Sequence, residues 1–274
     1  MEPCAEWREM RARHPFAGEG LSDEAVSRIW DGSADSYSEA AMGDAPDRIA
    51  GRLMDMGIVR EGASVMDVGC GPGVYGMRFA RVAGRVVCLD RSPRMLERLS
   101  RECAERGAGN VSAVLADWPS YPVGEAFDAV FSSLCPPLNC ESNLLKMESH
   151  SKGWCAYVSS MGGDMGSLHT EIWRRLGKDY TYKGYDTSYP CRYLRSLGRD
   201  ARLEEFEARS PSVRTVEEAV AMESKRFSAY GRAGAEVEAA IREAAESRAE
   251  DGLVRSEGIG RLGLLTWRPP GRRG

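Results

Sequence analysis

The sequence predicts an α/β fold: a doubly wound, Rossmann-like sheet with helices on both faces. Three observations carry this. Short apolar runs alternate with helix-patterned stretches from residue 63 to about 160. A glycine-rich turn joins the first run to the first helix. Single aspartates stand in or at the end of the first two runs, where a parallel sheet presents its ligand-binding edge.

The elements follow in order. Residues 1–60 read as an N-terminal helical cover. Within it, Ser22 before Glu24–Trp30 looks like a capped helix start. Pro46 to Met56 carries Ile49, Leu53 and Met56 at helical spacing. Residues 61–274 read as the sheet domain. Strands are expected at 63–68, 85–90, 111–115, 127–131, 154–158, 202–208 and 262–267. A helix is expected through Val74, Met77, Phe79 and Val82, ended by Gly84. Pro93 opens another, through Met95, Leu96 and Leu99 to Gly107, and a further helix runs through Leu144 and Met147. Helices at 168–177, 215–229 and 234–249 fall in two stretches, 165–200 and 211–250, read as substrate-side elaborations.

Composition excludes several classes. The chain has 274 residues, 42% hydrophobic and 28% charged, with a formal net charge of −4. That is globular rather than disordered. No apolar run is long enough to span a membrane, and Met1–Trp7 lacks the apolar core of an export signal, so the expected location is cytoplasmic. An acidic balance without a dense basic block disfavours nucleic acid as a partner. Eight cysteines without Cys-x-x-Cys spacing read as reduced, mostly buried thiols, and three histidines give little material for zinc.

The most informative stretch is Gly69-Cys70-Gly71-Pro72-Gly73. Glycines let the backbone turn sharply and approach a ligand. A helix starting behind them presents free N–H groups to an anion. Asp90 lies 19 residues after Gly71, a placement suited to ribose hydroxyls. Gly71–Gly76 also fits G-x-G-x-x-G, which alone points to NAD and an oxidoreductase. Asp67 inside the first strand, and Asp117-Trp118 after the third, argue against that alternative.

Val65–Gly73 resembles the first motif of class I S-adenosylmethionine-dependent methyltransferases. Asp90-Arg91-Ser92-Pro93-Arg94-Met95-Leu96 is similar to that family's second motif, and Ala116-Asp117-Trp118 to its third. Trp30-Asp31 followed by Tyr37 resembles the entry segment of the small-molecule branch. The resemblance implies a seven-stranded sheet with the last strand antiparallel, S-adenosylmethionine as cofactor, and methyl transfer to a small-molecule acceptor. It implies that Gly69, Cys70, Gly71 and Gly73 lie against the methionine half, with Asp67 near its amino end. Asp90 would hold the ribose, with Arg91 beside the adenine, and Met95 would also contact the cofactor. Asp117 would take the adenine amino group, Trp118 would pack on the ring, and Ser132 and Ser133 would border the methyl group. Trp30 and Tyr37 would cover the cofactor. No catalytic residue and no metal ligand is implied. Nucleic-acid or protein acceptors stay as a lesser alternative.

After the fourth strand, Cys135-Pro136-Pro137-Leu138 stands where methyltransferases of nucleobase or glutamine nitrogen carry a polar residue, two prolines and an aromatic. A thiol is a weak acceptor and leucine cannot stack, which argues against an amino-group acceptor of that kind. Cys135, Cys140, Cys155 and Cys191 have a minor reading as soft ligands for a metalloid. Tyr180, Tyr182, Tyr185, Tyr189 and Tyr193 have two readings: the lining of a planar substrate's pocket, or a homodimer contact or packing on the sheet. His150 and His169 are candidate bases.

Overall fold

The structure, a computed structural model, describes residues 2–12, 43–164, 167–177, 186–229 and 231–271. Its sheet follows from the alternation of the sequence. The strands are β1 (Ser64–Val68), β2 (Arg85–Asp90), β3 (Val111–Leu115), β4 (Phe127–Ser133), β5 (Ser151–Asp164), β6 (Arg202–Thr215), β7 (Ala249–Glu250) and β8 (Leu253–Trp267). Their order is β3-β2-β1-β4-β5-β8-β6. β1 to β5 pair in parallel, and β8 runs antiparallel to both β5 and β6. The expected seven strands and antiparallel last strand are therefore present. The short β7 adds a hairpin onto β8. Asp251 and Gly252 turn it at φ of 53° and 74°, the positive pair that a two-residue hairpin favours.

Continuous apolar runs make the central strands core on both faces. β1 is buried at Val65, Met66, Asp67 and Val68. One face is covered by α2 (Ala45–Asp55), α3 (Gly76–Phe79) and α4 (Pro93–Arg106), which bring Ile49, Leu53, Phe79 and Leu99 onto Val65, Val86 and Phe131. The other is covered by α1 (Pro3–Ala12), α5 (Glu141–Ser149) and α7 (Ser188–Ser196), which bring Trp7, Leu144, Met147 and Leu194 onto Met66, Val130 and Tyr157. α4 has the start and stop its sequence announces. Ser92 Oγ accepts the Met95 N–H at 3.2 Å, Pro93 fills the first turn, and Gly107 closes the helix at φ 65°.

Three strands are longer than their apolar pattern. β5 continues through Ser159–Asp164, β6 through Arg209–Thr215, and β8 begins at Leu253. These extensions are rich in Ser, Gly and Arg, so no alternation announces them. They pair with one another beyond the end of β4, from Gly163 with Gly260 to Thr215 with Leu253. On this arm sit α6 (Ser167–Arg175), α8 (Val216–Ala229) and α9 (Ala235–Ser247), around a separate core of Leu168, Ile172, Trp173, Phe227 and Ile241. The tyrosine-rich stretch yields α7. There Tyr193 meets Trp7 at 5.7 Å between ring centroids. Tyr180, Tyr182 and Tyr185 lie outside the described residues, as do Ser22, Trp30 and Tyr37.

The expected helix over Val74–Val82 is a single α turn, Gly76–Phe79. Its flanks bond in mixed spacing: Arg78 N–H to Tyr75 O, then Arg81 N–H to Arg78 O and Val82 N–H to Phe79 O. Close packing explains the departure. Gly76 lies so near β1 and β2 that a Cβ there would overlap Cys88 Sγ.

The aromatic trio of Tyr75, Phe79 and Phe131 seats this turn on the sheet, with Phe131 at 4.7 Å from Tyr75 and 5.0 Å edge-on to Phe79. Phe131 is buried. Phe131→Ala is expected to destabilise the fold by about 3–5 kcal/mol, read as a lowered urea midpoint at unchanged slope.

Candidate functional site

The carboxyl ends of β1, β2 and β4 border a cleft that opens to solvent. Its near wall is the glycine loop. Gly69, Gly71 and Gly73 hold φ of 68°, 55° and 90°, so the chain reverses in three left-handed steps that side chains with a Cβ resist. The loop curls over β2: the N–H groups of Gly69 and Cys70 both reach Leu89 O, at 2.7 and 3.0 Å. Gly71 N–H donates to Asp90 Oδ2 at 2.8 Å, and Ser92 N–H to Asp90 Oδ1 at 2.9 Å. Asp90 thus ties the loop after β1 to the loop after β2. Burial holds its carboxyl above the usual range, against the lowering pull of the Ser92, Gly71 and Arg91 N–H groups and of the Arg91 charge.

Asp67 lies beneath the loop. It is fully buried, receives the Gly76 N–H, and is lifted by burial to about 7, with the nearby Asp90 charge adding to the rise. Its Oδ2 has no hydrogen-bond partner. A buried carboxylate oxygen left unpaired is costly unless a ligand completes it. Across the cleft, Arg91 Nη1 stands 3.6 Å from Asp117 Oδ1. Trp118 is almost wholly buried, donates its indole N–H to Asn143 O at 3.1 Å, and packs at 5.0 Å from the His150 ring. It is both core and cleft wall.

Of the sequence-predicted site residues, Asp67, Gly69, Cys70, Gly71, Asp90, Arg91, Met95, Asp117, Trp118 and Ser133 line one cleft. Two stand outside the lining. Gly73 packs against Leu99, whose Cδ1 fills the place of a Cβ. Ser132 turns away and donates its hydroxyl to Val68 O at 2.8 Å, pinning β4 to β1. The helix N-terminus expected behind the glycines is too short for a sustained dipole, and the loop N–H groups named above are engaged within the fold. Both candidate bases serve structure. His150 is buried with its ring nitrogens 3.2 Å from the carbonyls of Lys146 and Pro122. His169 Nδ1 meets Glu223 Oε2 at 2.7 Å, while Trp173 donates to its Nε2 at 3.1 Å.

Tyr75, Leu89, Ala116, Leu134, Pro136 and Pro137 also line the cleft, and nothing in the sequence marks them as cofactor residues. The Pro136–Leu138 segment is a single 3-10 turn, with Leu138 in the core rather than the cleft. Burial pushes the Cys135 thiol up to about 12, so it is a neutral thiol and no nucleophile at physiological pH. All eight cysteines are free, and no His, Cys, Asp or Glu cluster among the described residues has the arrangement of a metal site. No described helix is long and apolar enough to cross a membrane.

Residues 65–147 match the family described as methyltransferase domain. The match covers β1 to α5 and so contains every lining residue of the cleft; it favours a methyltransferase over the NAD-type reading of the glycine loop. Nocamycin O-methyltransferase of Saccharothrix syringae is 40% identical over 95 residues, which cover 33% of this chain and 34% of that protein. Aklanonic acid methyltransferase DauC of Streptomyces sp. strain C5 is 34% identical over 87 residues, 30% of this chain and 39% of that protein. The matched stretches thus span little more than a third of these relatives' length. In three dimensions the YcgJ protein of Bacillus subtilis superposes with a TM-score of 0.53 at 13% identity, covering 82% of this chain and 100% of that one.

Asp67 gives the site a pH signature. A carboxyl raised on folding stabilises the native state below its unfolded value near 4, and that contribution is lost as pH rises through about 7. The difference reaches at most about 4 kcal/mol, since each tenfold change in proton affinity is worth about 1.4 kcal/mol. Asp67→Asn does not titrate. Its stability relative to the unaltered protein, from urea unfolding without ligand, is expected to climb between pH 4 and 7 and level off above.

Proposed function

We propose that the protein transfers the methyl group of S-adenosylmethionine to an oxygen of a small-molecule acceptor. One observation supports the cofactor above all others: the unpaired, buried Asp67 Oδ2 beneath a glycine loop that Asp90 holds in place. The cofactor carries an ammonium group, a ribose and an adenine, and the cleft offers a partner for each. Asp67 would complete its hydrogen bonding with the ammonium group. Asp90 keeps lone pairs for the ribose hydroxyls beyond the N–H groups it already accepts. Leu89, Met95, Ala116 and Trp118 form an apolar slot for the ring, with Asp117 at its edge. The Asp67, Asp90 and Asp117 carboxyls also suit a cationic ligand. Bound there, S-adenosylmethionine supplies an activated methyl on a sulfonium. The protein's part is then to position the acceptor in line and exclude water.

The small-molecule acceptor is supported by the names of the two relatives, one of them an O-methyltransferase. It is supported also by the net charge of −4, which is unfavourable for phosphate-rich partners. The helical unit on the β5–β6–β8 arm, within 165–200 and 211–250, is read as the acceptor-side elaboration. Its supporting strands run past the end of β4, on the side where the cleft opens.

Calorimetry tests the cofactor. S-adenosylhomocysteine is expected to bind at micromolar strength or better, on the order of −8 kcal/mol, and NAD not detectably. Asp90→Ala removes charge-assisted bonds of about 1.5–3 kcal/mol each and is expected to weaken binding at least tenfold. Below pH 7 the free Asp67 is protonated, so pairing it with an ammonium group releases a proton. The apparent enthalpy at pH 6 should therefore change with the buffer's ionisation enthalpy, and at pH 8 should not. Tight binding by Asp90→Ala, or no proton release at pH 6, would count against these assignments.

A further inference from the structure

We propose that Leu134 is the acceptor contact of the cleft, and that it selects an acceptor with an apolar body beside the methylated oxygen. The inference rests on the methyltransferase reading above and adds the class of acceptor.

Leu134 follows Ser133 at the carboxyl end of β4. It is 37% exposed, a large aliphatic side chain standing in the cleft wall. Its φ is 50°, a left-handed conformation that is costly for a residue with a Cβ. Such strain persists only where the surroundings over-determine it.

Here they do so from both sides. The Leu134 N–H donates to Val158 O at 2.9 Å, fixing its start to β5. Pro136 and Pro137 restrict the chain beyond, and Leu138 N–H closes back on Cys135 O at 3.0 Å. Gly69 makes room for the Cys135 side chain, since a Cβ there would overlap the sulfur. Asn143 Nδ2 donates to Pro137 O at 2.9 Å, while its own carbonyl accepts the Trp118 indole N–H. From α1, Trp7 Nε1 donates to Asn139 Oδ1 and Arg11 Nη1 to Asn139 O, each at 3.0 Å.

The braced backbone holds a leucine in a conformation that glycine or asparagine would adopt more readily. What it holds out is apolar surface. Leu134, Pro136 and Pro137 form an aliphatic ledge, while Asp67, Asp90 and Asp117 belong to the part of the cleft read as the cofactor's. A ledge of this kind gains by covering hydrocarbon or a ring face, and offers nothing to a small, fully polar acceptor.

Two variants separate this role from packing. Leu134→Asn keeps the side-chain size and tolerates the left-handed backbone; Leu134→Gly removes both side chain and strain. The unaltered protein, saturated with S-adenosylhomocysteine, is titrated with acetate, hexanoate and decanoate, and with phenol and 2-naphthol. Binding is expected to strengthen along each series. In both variants, S-adenosylhomocysteine affinity should stay within about twofold and the melting midpoint should not fall, whereas decanoate and 2-naphthol should bind about tenfold more weakly. Binding that fails to strengthen along the series, or is equal in the unaltered protein and the variants, overturns the proposal. Lowered midpoints with unchanged probe binding assign Leu134 to packing and overturn it too. Failure of the unaltered protein to bind S-adenosylhomocysteine overturns the methyltransferase reading, and this one with it.

Discussion

Asp90 accepts backbone N–H groups from both of the loops that leave β1 and β2. The open end of the sheet is organised around that carboxylate. Together with Leu89 O, which takes the Gly69 and Cys70 N–H groups, it fixes the left-handed turns at Gly69, Gly71 and Gly73 against β2. The neighbouring Asp67 depends on the same closure. It is dry because the glycine loop covers it, and burial raises its carboxyl. A bond of loop to strand thus sets the chemistry of a second residue.

The other side of the cleft is built by a different principle. Where the side after β1 uses glycines to bend freely, the wall after β4 uses prolines and hydrogen bonds at Asn139 and Asn143 to hold one strained residue. Asn139 takes two hydrogen bonds from α1, and Asn143, on α5, joins Pro137 to the Trp118 segment. The ring side and the ledge side are therefore braced through a shared residue, Asn143, rather than set independently.

Much of this is legible without coordinates. Asp67, Asp90 and Asp117 stand out because each lies in, ends or follows an apolar run, and parallel topology then gathers such ends on one edge. Strand positions follow for the same reason, as does α4, with Ser92, Pro93 and Gly107 as its punctuation. The failures share a cause as well. The helix at Val74–Val82 shrinks to one turn because Gly76 packs on Cys88, a tertiary contact that overrides an apolar pattern. Ser132 and Ser133 look equivalent in sequence, yet strand alternation sends one to Val68 O and the other to the cleft. The arm of β5, β6 and β8 carries no signal, since its residues are polar and its pairing is with distant chain. The left-handed Leu134 is likewise invisible, because its conformation belongs to its neighbours and not to leucine.

The helical unit of α6, α8 and α9 has its own hydrophobic core, which shares no residue with the two cores that flank the sheet. The hydrogen bonds that shape the glycine loop are made within β1, β2 and the turns between them. In the mechanical sense the chain is therefore divided into one unit around the glycine loop and a second around α6, α8 and α9. The ladder of β5, β6 and β8 is the boundary the two share. On the function proposed above, acceptors change by remodelling the second unit, with the hydrogen bonds that shape the glycine loop left as they are.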